Sequence, residues 1–208
     1  MTIIFYLLAS GLAPWKDPRI HNFGNLGAGG TVHSFVAPLA TRMIDTMAYK
    51  GFNVRELLFE NSTVDLGYGV GYSTSPGGIG VDASEPMLNV AKVLHPNKHF
   101  ERGLAEKFGY PNMCKRVTVS FLLHEQTPQR RKRIVMNAAR ICKEEVLIMD
   151  IHPTYKPSWL MKTGEPYVED YLENFDDEVS SICKDNNYNM VKTSLCEDRV
   201  LLWTIKKG

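Results

Sequence analysis

Val64-Asp65-Leu66-Gly67-Tyr68-Gly69-Val70-Gly71-Tyr72, followed by Ile79-Gly80-Val81-Asp82, is the stretch that decides the fold. It reads as a short apolar strand, a glycine-rich turn, and a second short strand ending in an acid. Glycines at alternate positions let the backbone turn tightly and bring its N–H groups against a ligand. An acid at the tip of the second strand can accept hydrogen bonds from a ribose diol. Together these features describe a pocket for a nucleoside-bearing ligand.

Outward from this turn, strand and helix patterns alternate. Thr63–Leu66 and Ile79–Asp82 read as strands, as do Lys98–Arg102, Val117–Leu122 and Glu145–Ile151. Ser84 can cap a helix carrying Met87, Leu88 and Ala91, with Pro86 in its first turn. Thr127-Pro128 opens a helix with Ile134, Ala138 and Ile141 inward. Val168, Leu172, Phe175, Val179 and Ile182 form an unbroken amphipathic stripe over 166–184. Tyr188–Leu195 and Arg199–Lys206, joined by Cys196-Glu197-Asp198, imply an antiparallel pair. Residues 10–34, rich in Gly, Pro, Asn and His, read as irregular. A helix is expected from Ser34 to Lys50, with Val36, Ala40, Met43 and Met47 on one stripe and Gly51 closing it. Alternation implies an α/β fold: a Rossmann-like, mostly parallel sheet with helices on both faces and a C-terminal antiparallel hairpin.

The 208 residues suit one domain, and 44% apolar with 23% charged residues is ordinary for a globular protein. A formal net charge of +1 gives no support to a nucleic-acid or anionic-membrane partner. Cys114, Cys142, Cys183 and Cys196 form no C-x-x-C pair, so neither a metal nor a redox motif is visible; reduced thiols in a cytoplasmic protein are expected. Ile3–Ala9 is apolar but lacks a preceding Lys or Arg and is too short to span a bilayer; a docked helix or strand is expected.

Asp65–Thr74 resembles the first motif of class I S-adenosylmethionine-dependent methyltransferases, and Gly80–Leu88 resembles their second. Phe100–Glu106 looks like the segment that edges the adenine, Val117–Glu125 like the fourth strand and its loop, and Arg140–Asp150 like the fifth strand with its preceding helix. The resemblance covers about residues 60–205 and implies a seven-stranded sheet and S-adenosyl-L-methionine as cofactor. Carried over, the Gly67, Tyr68, Gly69, Gly71 and Tyr72 stretch faces the methionine portion, and Asp65 holds its amino group or orders the loop. Asp82 binds the ribose, Ala83 and Met87 line the adenine, and Leu104, Ala105 and Glu106 sit at its edge. Ser120 and Phe121 close over the methionine chain. Residues 1–55 are then a lid and helical segment packed on a core of 56–208, one domain overall.

Two departures from the family stand out. Leu104 occupies the position where an acid usually contacts the adenine amine. Fifteen residues separate Gly67 from Asp82, and Ser75-Pro76-Gly77-Gly78 would stop a helix early. A parallel crossover needs at least about 10–12 residues, so the first helix is predicted to be stunted or missing, with another segment covering that sheet face.

Single residues carry two readings each. His124 can orient an acceptor or take its proton, with Glu125 as the adjacent alternative; the plain reading is a loop histidine. His33 can face the pocket from a lid or lie on the surface. Asp150, His152 and Tyr155 follow the fifth strand, beside the crevice, as candidate substrate contacts. Nothing in the spacing of Asp150, His152 and His124 demands a metal. Trp159, Met161 and Tyr167 can wall the acceptor site or fold onto the core. Gln129–Arg133 reads as a solvated face or a phosphate grip. The expected activity is methyl transfer to a small-molecule acceptor by in-line displacement. A nicotinamide-dependent oxidoreductase and a catalytically inactive binding protein on the same scaffold are the alternatives.

Overall fold

Seven strands, β1 (Thr63–Leu66), β2 (Ile79–Asp82), β3 (His99–Arg102), β4 (Cys114–Ser120), β5 (Cys142–Ile151), β6 (Tyr188–Leu195) and β7 (Val200–Lys207), form one sheet in the order β3-β2-β1-β4-β5-β7-β6. The computed structural model describes residues 12–207; the Ile3–Ala9 expectation lies outside them. β3 through β5 run parallel, whereas β7 is antiparallel to both β5 and β6. Five α-helices accompany them among the described residues: α1 (Gly27–Ala48), α2 (Glu85–Leu94), α3 (Pro128–Ile141), α4 (Trp159–Gly164) and α5 (Val168–Asp185). The expected α/β architecture with its terminal hairpin is present. No helix among the described residues is long and apolar enough to cross a membrane.

Strand alternation divides the core. Val64, Leu66, Val117, Val119, Val146, Ile148, Trp203 and Ile205 point to one face, where Ile134, Ala138 and Ile141 of α3 and Phe175, Val179 and Ile182 of α5 pack on them. Trp203 meets Phe175 edge-on with ring centroids 5.2 Å apart and donates its indole N–H to Asp176 (2.9 Å). On the opposite face, Leu147, Met149 and Val200 are covered by Tyr49, Val54 and Leu58, from the end of α1 and the 3-10 turn Val54–Leu58.

The first crossover contains no helix: residues 67–78 are turns and bends. That face of β1 and β4 carries Asp65 and Thr118, and the loop covers it with hydroxyls. Asp65 is fully buried and accepts from Ser73 (2.8 Å), Thr74 (2.7 Å) and Thr118 (3.0 Å). Ser75 Oγ accepts from Glu60 N (3.0 Å), and Tyr68 packs on Phe100 with centroids 4.8 Å apart.

Several expectations are corrected. α1 begins at Gly27, not Ser34; Ser34 is buried mid-helix and donates to Thr31 O (2.8 Å). The glycines that suggested a loop serve close approach instead. A Cβ on Gly29 would stand 1.8 Å from Phe23 O, and one on Gly30 2.5 Å from the Asn25 backbone. The helix is capped at Tyr49 rather than at Gly51; Gly51 follows left-handed Lys50 at φ +78° and donates to Asp45 O (2.9 Å). The Val36, Met43 and Met47 stripe is exposed, so it is not a core face. β4 starts at Cys114 and stops at Ser120, because Phe121 turns left-handed (φ +50°). β5 starts at Cys142, directly after α3, where Arg116 pairs with Glu145 across the strands. Arg130 and Arg131 are buried rather than solvated: Arg131 donates to Glu178 and Asp170, and Arg130 to Gln126 and Glu106.

Trp203→Ala should lower unfolding stability by about 3–5 kcal/mol, since it empties a fully buried indole site and orphans its neighbours; urea denaturation followed by far-ultraviolet circular dichroism checks it.

Candidate functional site

The carboxyl ends of β1, β2, β4 and β5 open into a cleft, roofed by residues 14–33 and the loop after β5. A cavity of about 420 Å³ adjoins a smaller pocket of about 110 Å³; His21, His33, Gly67, Gly69, Met87, Phe121 and Glu125 line both. The smaller pocket adds Asp82, Ala83, Ala105, Gln126, Arg130 and Trp15. The larger adds Tyr68, Tyr72, Ser120, His124 and Tyr155.

Asp82 ends β2 at the small pocket. Its carboxylate accepts from Gly69 N (2.9 Å) and Ser84 N (2.8 Å), one bond to each oxygen. A carboxylate oxygen has two lone-pair sites, so each retains one. Burial pushes this carboxyl up to about 6, against the pull of the two N–H donors. Ser84 also caps α2 through Met87 N (3.4 Å), and its hydroxyl donates to Asn25 O (2.8 Å), tying the roof to the cleft. Gly69 is at φ +56°, and a Cβ there would meet nothing within 4 Å. Tyr68 Oη, Tyr72 Oη and His33 Nδ1 are buried and have no hydrogen-bond partner among the described residues. The cleft thus presents open backbone, an acid with spare lone pairs, and polar atoms in want of partners.

His124 and Asp150 form a buried pair, Nδ1 to Oδ1 at 2.6 Å. Asp150 also accepts from Leu123 N (2.9 Å) and Ile151 N (2.8 Å), which fixes its orientation. Burial disfavours the imidazolium, but Asp150 outweighs it, and the His124 pKa rises to about 9.

A residue that sequence reading missed organises the roof. His21, left-handed at φ +52°, reaches Glu125 through Nε2 (2.6 Å) and Glu165 through Nδ1 (2.7 Å). Burial opposes its charge, yet the two carboxylates hold its pKa well above the ordinary histidine range. His33 stacks on it with centroids 4.2 Å apart, and burial followed by the His21 charge drives His33 down to about 4. Ligand atoms of His21, Glu125 and Glu165 lie within 4.8 Å of one another, with both imidazole nitrogens engaged by carboxylates. No local signal marks His21, which gains meaning only when the chain folds over the cleft.

Of the residues singled out from sequence, Gly67, Tyr68, Gly69, Tyr72, Asp82, Ala83, Met87, Ala105, Ser120, Phe121, His124, Glu125, His33 and Tyr155 come together around the two pockets. Others line neither pocket. Asp65 is spent on the loop hydroxyls, and a Cβ on Gly71 would strike Phe100 and His95. Leu104 is turned away, while Glu106 pairs with Arg130 (3.1 Å), itself stacked on Trp15. Asp150 acts through His124, and His152 turns to Thr154 (2.8 Å), so Asp150, His152 and His124 do not converge on a metal position. Met161 lines the larger cavity, Trp159 is exposed, and the Tyr167 hydroxyl donates to Asp17 (3.3 Å). Beyond His21, the lining residues that sequence reading did not single out include Trp15, Arg55, Gln126 and Arg199, while Arg130 comes from the basic run at 129–133.

Because the folded pKa of His124 lies above its ordinary 6.5, the Asp150 pair stabilises the fold fully below about 6.5, and this contribution is lost as pH rises through about 9. In Asp150→Asn the imidazole titration, followed by the Cε1–H resonance, should fall from about 9 to below 6.5, and the stability difference between those pH values should vanish.

No protein-family model and no curated protein matches this sequence. Solved structures do match. A SAM-dependent methyltransferase from Aquifex aeolicus is 18% identical with a TM-score of 0.58, over 81% of this chain and 97% of that one. A magnesium protoporphyrin IX methyltransferase from Synechocystis PCC 6803 with bound SAM is 15% identical, TM-score 0.53, over 100% and 96%. An S-adenosylmethionine-dependent methyltransferase from Mesorhizobium loti is 14% identical, TM-score 0.52, over 72% and 92%. The likeness is one of architecture, and with the strand order above it gives this chain the fold of class I S-adenosylmethionine-dependent methyltransferases.

Proposed function

We propose that the protein binds S-adenosylmethionine in the smaller pocket and transfers its methyl group to a small molecule held in the larger cavity. The observation that carries this reading is Asp82. Its two oxygens are oriented by backbone N–H groups, and each keeps a lone pair beside a pocket walled by Ala83, Met87 and Ala105. That arrangement suits a ribose diol beneath an adenine. Open Gly69 leaves room for the rest of the cofactor, and the partnerless Tyr68, Tyr72 and His33 atoms suit its polar groups. When bound, the sulfonium supplies an electrophilic methyl for in-line displacement by the acceptor.

The chain's own residues then position the acceptor and exclude water. Residues 12–33 and the loop after β5 serve as the lid, with Asn25, His21 and Trp15 its contacts to the core. Phe121 forms a wall common to both pockets. His124 is an imidazolium at neutral pH, so it orients an acceptor there and takes a proton only after losing its own.

The nicotinamide alternative is disfavoured by the crossover. A pyrophosphate needs a helix N-terminus after the glycine turn, and residues 67–78 have none. An inactive binding protein on this scaffold would bind neither S-adenosylmethionine nor NAD.

Calorimetry with S-adenosylmethionine and with NAD separates these readings: binding of the first alone is expected, and binding of NAD alone would overturn the proposal. Affinity for S-adenosylmethionine should fall as pH drops through about 6, as Asp82 protonates, and Asp82→Asn should weaken it at least tenfold at pH 7.5. With a hydroxyl acceptor, the turnover rate should climb with pH toward about 9, and His124→Gln should flatten that climb and lower the plateau by about 10²–10⁴-fold.

A further inference from the structure

Two guanidinium groups line the larger cavity, and neither lines the smaller pocket that holds Asp82. Arg55 comes from the Val54–Leu58 turn and is nine-tenths buried. Its Nη1 donates to Asp45 (2.5 Å), and the guanidinium lies 4.7 Å from the Phe121 ring centroid. Arg199 comes from the β6–β7 turn, and its Nη1 donates to Ala48 O (2.9 Å). No salt bridge engages Arg199 among the described residues. Glu197, its acidic neighbour in sequence, is exposed and pairs with Lys50 instead. Elsewhere the cavity wall is largely apolar, with Ala37, Ile44, Ala48, Ile151 and Met161.

Arg199 is half-buried in a largely apolar wall, and among the described residues the Ala48 carbonyl is the one hydrogen-bond partner of its guanidinium. That is costly unless an anion completes its hydrogen bonds. The guanidinium fork matches a carboxylate with two parallel N–H···O bonds. The charge layout has direction. Asp82 lines only the smaller pocket, where Arg130 is already paired with Glu106; Glu125 faces both pockets; Arg55 and Arg199 line only the larger cavity. We infer that the acceptor is an anion: an apolar or aromatic body, sized to about 420 Å³, ending in a carboxylate that Arg199 binds with Arg55 beside it.

This inference names the substrate class of the proposed transferase and so rests on that reading, but it is tested separately. The full chain is titrated with 4-hydroxyphenylpropanoate and with its neutral primary amide, in the presence of S-adenosylhomocysteine. The acid should bind at least tenfold more tightly at pH 7.5. Arg199→Gln should shrink that ratio below twofold by weakening the acid alone, and Arg199→Lys should keep part of it. Equal affinity of acid and amide in the parent chain, a full preference retained in Arg199→Gln, or binding of neither compound would overturn the inference. S-adenosylhomocysteine binding is measured first and alone. Its failure with the acid preference intact would remove the transferase reading and leave the anion site, and the converse would remove only the anion site.

Discussion

A buried carboxylate held by hydroxyl groups, with no salt bridge among the described residues, organises the centre of this molecule. Asp65 is fully enclosed, and burial pushes its pKa up while the hydroxyls of Thr74, Ser73 and Thr118 pull it back. Three donors at 2.7–3.0 Å are what make such burial tolerable, since an unbonded buried carboxylate would neutralise or unfold the loop. The bonds do more than satisfy the acid. They pin residues 73 and 74 against β1 and β4, which fixes the glycine turn before them and sets Gly69 N against Asp82. The geometry of Asp82 therefore descends from a residue that lines neither pocket.

The roof is held by charge. His21 bridges Glu125 and Glu165, so a residue of the N-terminal segment joins the turn after β4 to the residue that follows α4. The first turn of α1 is drawn tight beneath it, because Gly29 and Gly30 let the Phe23–Asn25 backbone lie against the helix. Left-handed His21 and Phe121 each cost on the order of 1–2 kcal/mol. Both pay that cost at the cleft, where their rings meet the two pockets.

The central fold was legible because its signals are local. Four-residue strands at Thr63–Leu66 and Ile79–Asp82, the Ser84 cap and the α5 stripe are written in short-range pattern, and all stand where expected. The missing crossover helix was legible too, from Ser75-Pro76-Gly77-Gly78. Long-range causes were not. Glycines at 29 and 30 look like a loop in sequence because nothing local shows the chain that crosses them. Lys143-Glu144-Glu145 hides the start of β5, since Lys143 and Glu144 are exposed and Glu145 is matched only by Arg116 and Lys206 of the two neighbouring strands. In the site, the motif residues Gly67, Gly69 and Asp82 could be read directly, whereas His21, Arg55 and Arg199 come from segments with no motif and acquire their place through tertiary packing.

The helix-free crossover also alters how the sheet must assemble. Closing a loop half as long saves only about 0.6 kcal/mol of chain entropy, so brevity contributes little. What it forfeits is an amphipathic helix that would have docked its apolar side independently of the loop's polar contacts. β1 and β2 are therefore joined by a segment whose adhesion rests on hydroxyl geometry, and such contacts form only when all partners are in place. The strand pair beside the cleft is therefore expected to consolidate late, ordered by the assembled sheet rather than serving as its seed.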